Sequence, residues 1–169
     1  MKAQKNNFIN RYYGNNHAAK VIYGIVLTFV VLIGLSASRP SSPQSAAVDA
    51  LIGALTIVIA EDYAEIIGFT IKNKRALTKQ ERREIFDDTF AIATFCLIPA
   101  IVLLISASGL YGITTAFNIS FAYCLFVLFV FSYWAGRLSN YSKQKSAFIA
   151  VINALIGLII ILVKYIFSH

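Results

Sequence analysis

The chain has 169 residues, of which 58% are hydrophobic and only 14% charged, and its mean hydropathy is +0.69. Apolar runs nearly free of charge recur along it, which excludes an ordinary soluble globule and is the pattern of membrane-spanning helices. The net charge of +7 does not imply nucleic acid, because Lys and Arg sit in short connections between the apolar runs, where membrane topology puts them.

Residues 1–19 are polar and basic and are read as a cytosolic amino-terminal segment. The apolar run VIYGIVLTFVVLIGL follows. Its long polar leader separates it from a secretory signal peptide, so it is read as an uncleaved first span, about 20–38. The connection RPSSPQS carries two prolines and reads as a loop. A second span is expected over about 47–71, a third over 85–108, a fourth over 111–136 and a fifth over 146–168. Each is long enough to cross ~30 Å of hydrocarbon at ~1.5 Å per residue. Residues 20–169 would thus form a single all-α, five-helix transmembrane domain. Pro99 should kink the third span and free a carbonyl that a neighbour must satisfy.

Basic residues set the expected orientation. Lys2, Lys5, Arg11 and Lys20 precede the first span, Lys72, Lys74, Arg75, Lys79, Arg82 and Arg83 lie between the second and third, and Arg137, Lys143 and Lys145 lie between the fourth and fifth. The opposite side has Arg39 and Lys164. The positive-inside rule then predicts a cytosolic amino terminus and an outside carboxyl terminus, in a plasma (inner) membrane. Small-residue ridges, Ala46–Ala50–Ala54 and Ala150–Ala154–Gly157, would serve internal packing or a dimer seam. The aromatic run Phe126, Phe129, Phe131, Tyr133 and Trp134 is expected to face lipid, with Tyr133 and Trp134 at the cytosolic interface. Cys96 and Cys124 read as small buried hydrophobes.

The segment VIAEDYAEIIGF, residues 58–69, is the anomaly. Glu61, Asp62 and Glu65 fall within a helical arc of about 100°. A carboxylate at bilayer depth costs roughly 2.5–3.5 kcal/mol, so these three should face the bundle interior, a wet cavity or a cation. Glu84, Asp87 and Asp88 make a similar arc at the start of the third span, with Glu81 on the same side. If the two faces meet, Glu61, Asp62, Glu65, Glu84, Asp87 and Asp88 are candidate ligands for a hard or borderline divalent cation, with Asn118 and Asn153 adding neutral oxygens. The structural alternative is strongest for the third span. There TKQE reads as a capping box with Thr78 as N-cap and Glu81 at N3, and acidic residues complement the helix dipole.

With those carboxylates in view, the chain resembles the vacuolar iron transporter family, five-span Fe²⁺/Mn²⁺–proton antiporters. AEDYAEIIGFTIKNKR is similar to the family's second-span Gly-Glu-Tyr-like motif and basic stretch, with Glu61 nearest the family carboxylate. VIYGIV at 21–26 resembles its first-span YGxxDG region. The family's Asp-Gly is replaced here, since Ile25, Val26 and Leu27 stand there, and its cytosolic metal-binding domain has shrunk to a loop. The resemblance implies a homodimer that moves a divalent metal cation in exchange for protons. The alternative is a non-transporting membrane subunit that holds a protein partner through its cytosolic loops. No HExxH, GxSxG or Gly-rich phosphate loop occurs, and His17 and His169 lie in opposite terminal segments, so neither an enzyme nor a resident cofactor is expected.

Overall fold

The computed structural model describes residues 15–167 apart from Arg39 and Ser41. The expectations resting on Lys2, Lys5, Arg11, Arg39 and His169 therefore lie outside the described residues. Among the described residues five helices follow in chain order: α1 (Asn15–Ala37), α2 (Pro43–Asn73), α3 (Lys79–Ser106), α4 (Ile113–Leu138) and α5 (Lys143–Phe167). No strand occurs among the described residues. Each overlaps an expected span, but α1, α2, α3 and α5 begin earlier than expected. For α2 and α3 the reason is capping. Ser42 accepts from the Ser45 backbone N–H, with Pro43 in the first turn, and Thr78 forms the expected capping box with Glu81.

Four of the helices, over Ala18–Ala37, Lys79–Ser106, Ile113–Leu138 and Lys143–Leu162, are long and apolar enough to cross a membrane. The longest, α2 with 31 residues, is not among them. Its uncharged stretch between Asp49 and Glu61 is only 11 residues, about 17 Å of helix.

At the centre stands α1, which touches all four other helices. Its Ile25, Phe29 and Leu32 are fully buried and pack with Leu103 of α3 and Phe117, Phe121, Cys124 and Leu128 of α4. The Phe29 and Phe121 rings lie 5.5 Å apart. Close helix approach depends on small residues. A Cβ on Gly24 would stand 2.5 Å from Ile92 Cγ2, and one on Gly136 would meet the Ser146 Cα at 3.1 Å. Ala46, Ala50 and Ala54 are buried, as are Ala150 and Gly157, so both small-residue ridges serve packing within the chain.

The proline in α3 finds the partner it requires. Pro99 removes the N–H that would have bonded the carbonyl of Phe95, and the Tyr123 hydroxyl of α4 donates to that oxygen at 3.2 Å. The aromatic expectation needs one correction. Phe126 is 64% exposed and Phe129 38%, but Phe131 is only 6% exposed. It lies edge-on to Phe95 with ring centroids 5.0 Å apart, because the α4 core follows 117, 121, 124, 128, 131, and that stripe includes Phe131. Outside this core, large apolar side chains stand exposed on every helix, among them Val30, Ile59, Phe90, Phe126, Phe148 and Ile159. Such a surface is compatible with an integral membrane protein.

A candidate carboxylate–lysine site

Three helices converge where α1 begins, α2 nears its end and α3 has completed its first turns. Lys20 of α1 reaches the Glu65 carboxylate of α2 in a short contact, and its ammonium lies 3.8 Å from Asp88 Oδ2 of α3. The Lys20 side chain is 15% exposed, Glu65 30% and Asp88 32%. Beside them the buried Thr89 hydroxyl lies 3.4 Å from Asp62 Oδ1 while donating to the Ile85 carbonyl at 3.0 Å.

The level of this cluster follows from the sequence on either side of it. Lys20 is the last charge before residues 21–37, 17 uncharged residues or about 26 Å of helix. Beyond Asp88, residues 89–106 carry no charge over 18 residues, about 27 Å. Both lengths approach the hydrocarbon thickness of a bilayer. Lys20, Glu65 and Asp88 therefore stand together at one end of these uncharged runs, and Glu61 and Asp62 lie about one turn nearer their middle. Glu61 stands seven residues beyond the buried Ala54, hence on the same face of α2. It is half-buried and makes no hydrogen bond or ion pair among the described residues.

The remaining candidates disperse. Glu84 is exposed and pairs with Gln80 at 3.3 Å, and Asp87 is exposed. Asn153 donates to the Ser132 hydroxyl at 3.0 Å, tying α5 to α4, and Asn118 is exposed on α4. Among the described residues no group of three or more His, Cys, Asp or Glu side chains converges on a common point that could hold a metal ion. What converges on Glu65 and Asp88 is a lysine. Its role was missed because Lys20 read as a topology charge. The signal was there, since it is the final cation before an uncharged run.

Nearer the basic end, Arg75 grips Glu81 through two contacts, at 2.9 and 2.5 Å. This guanidinium, helped by the Thr78 backbone N–H, lowers the Glu81 carboxyl to about 2. Glu81 is thereby committed to the turn between α2 and α3.

No family model, curated protein or solved structure matches the chain. Function must therefore be argued from the site.

Proposed function

We propose that the chain is a five-span membrane protein that moves a divalent metal cation of the Fe²⁺/Mn²⁺ kind in exchange for protons. Glu65 and Asp88 receive the ion at the boundary, and Glu61 and Asp62 hold it one turn deeper. One observation carries this reading: carboxylates from two helices already hold a cation, the Lys20 ammonium, at the edge of the apolar slab. In this reading Lys20 is a tethered counter-charge that occupies the site when no metal does. A carboxylate at that depth holds a proton or a metal ion, and this competition couples the two flows.

Connectivity supports the fifth span. The Lys20–Asp88 contact sets the starts of α1 and α3 at one end of the bundle. The chain must return from the end of α1 to the start of α3, and among the described residues α2 is the only helix between them. If α1 and α3 cross, α2 crosses as well. The positive-inside rule then favours an amino terminus in the cytosol and a carboxyl terminus outside. A homodimer, and membership in a divergent branch of the vacuolar iron transporter-like proteins, belong to the same proposal and rest on the motif resemblance.

A specific observation favours a second reading. Lys20 already bridges the two carboxylates and, among the described residues, no third one joins them, so the cluster also suits a purely structural clasp in a non-transporting subunit that holds a protein partner. Proteoliposomes loaded with a metal-sensitive dye separate the two. Transport requires Mn²⁺ uptake that Glu61→Gln and Glu65→Gln abolish. Absence of uptake by the native chain, together with no bound metal by elemental analysis, leaves only the clasp.

A further inference from the structure

The basic residues at the start of α3 have not been used by the site above. Lys79, Arg82, Arg83 and Phe86 are spaced i, i+3, i+4, i+7 and share an arc of about 100° on α3. Glu81, Glu84 and Asp88 lie on the opposite side of the helix by the same arithmetic. They are also engaged elsewhere, by Arg75, Gln80 and Lys20 respectively. The Lys79, Arg82 and Arg83 side chains are exposed and make no hydrogen bond or ion pair among the described residues.

These side chains are not scattered over a convex surface. Lys79, Arg82, Arg83 and Phe86 line an open cavity of about 450 Å³, whose remaining wall is Asp62. Three cations face one carboxylate there, and that carboxylate has the Thr89 hydroxyl beside it, so the cavity keeps an excess of positive charge. Its level is defined as well. Asp88 marks the hydrocarbon boundary, and Arg83 and Arg82 lie five and six residues further out, about 7–9 Å along the helix. The polar headgroup layer on each side of a bilayer is about that deep. Phe86, 61% exposed, sits between the arginines and the boundary, where an aromatic ring meets the first acyl carbons.

We infer that this cavity binds the phosphate of an anionic phospholipid in the leaflet at the basic end. Arg82 and Arg83 grip the phosphate oxygens through their planar donor forks, Lys79 adds charge, and Phe86 lies along the upper acyl chain. Free phosphate shares the oxygen chemistry but lacks the chain, and Phe86 together with the depth of the arginines favours the lipid. The inference needs the membrane setting and does not depend on cation transport.

The test uses the full chain in nanodiscs of phosphatidylcholine containing a minority of phosphatidylglycerol, with the lipid retained on gentle release counted by native mass spectrometry. The native chain should retain phosphatidylglycerol in preference to phosphatidylcholine. Arg82→Gln/Arg83→Gln should reduce that preference on the order of tenfold or more, because both donor forks that grip the phosphate are lost. Lys143→Gln/Lys145→Gln removes the same charge from the same end and should leave the preference within about twofold. Both pairs are exposed, and circular dichroism verifies that each variant is folded. Equal losses in the two double variants would mean a diffuse surface field and overturn the site. So would unchanged retention in Arg82→Gln/Arg83→Gln. Displacement of the lipid by millimolar inorganic phosphate would assign the cavity to a soluble ligand and overturn the lipid reading.

Discussion

At the turn between α2 and α3, one proton decides whether Arg75 keeps its ion pair. Glu81 is lowered from its ordinary 4.5 to about 2, so the folded chain binds the proton less readily than the unfolded one. Its stabilising contribution is therefore complete above about pH 4.5 and is lost as pH falls toward about 2. The pair is exposed and the effect correspondingly small, but its sign is testable. Thermal unfolding in detergent should decline on acidification through this window, and Glu81→Gln should show a weaker decline. Lys20 is a different case, because its removal leaves Glu65 and Asp88 facing each other across a partly buried gap. Lys20→Met should cost on the order of 2 kcal/mol, below the loss expected for a fully buried pair. Adding Glu65→Gln should recover part of the loss, since the Glu65 carboxylate that Lys20 holds is then removed with it. A double-mutant cycle on unfolding measures that coupling, and a coupling near zero would deny the clasp. The sequence arithmetic located the acidic faces but not this cation. Helical spacing relates residues along one element, whereas the Lys20–Glu65 contact spans 45 residues and depends on how three helices pack.

Among the elements, α3 and α4 depend on a hydrogen bond that the sequence half announces. Pro99 made a freed carbonyl certain, but nothing in the apolar run named Tyr123 as its donor. Tyr123→Phe should cost on the order of 1 kcal/mol by leaving the Phe95 oxygen unsatisfied in a dry setting. In a Pro99→Ala background the restored backbone N–H takes over that oxygen, and Tyr123→Phe should then cost little. Equal costs in both backgrounds would mean that the bond contributes nothing. The α4–α5 pair is limited by sterics instead. Gly136→Ala drives a Cβ against the Ser146 backbone, which cannot rotate away as a side-chain end can. The expected loss is about 1–3 kcal/mol, read as a lower unfolding midpoint. Helix bounds were legible to within a few residues because uncharged runs of this length have few alternatives. The start of α2 was not, because Ser42 extends the helix into polar sequence, whereas the Thr78–Glu81 capping box had already marked the start of α3. Phe131 was misplaced for a related reason: grouping α4 aromatics by proximity in sequence hides that Phe131, but not Phe126, continues the buried stripe.

For the whole molecule the sharpest expectation concerns α2, since four helices have the length and composition of spans and α2 breaks its apolar run with Glu61, Asp62 and Glu65. Single cysteines introduced at Ser38, Ala76, Ser108 and Gln144, all exposed, report the sidedness of each connection to a membrane-impermeant maleimide. The native Cys96 and Cys124 are buried and should stay silent. Five spans require Ser38 and Ser108 to label on one face of sealed vesicles and Ala76 and Gln144 on the other, with Ala76 and Gln144 on the cytosolic face. If α2 instead lay along the surface, Ser38 and Ala76 would label together and α3 would have to run antiparallel to α1. That arrangement would separate Lys20 from Asp88 by the thickness of the bilayer. The labelling pattern therefore tests the carboxylate–lysine cluster as well as the topology, because a shared face for Ser38 and Ala76 would dissolve the site along with the fifth crossing.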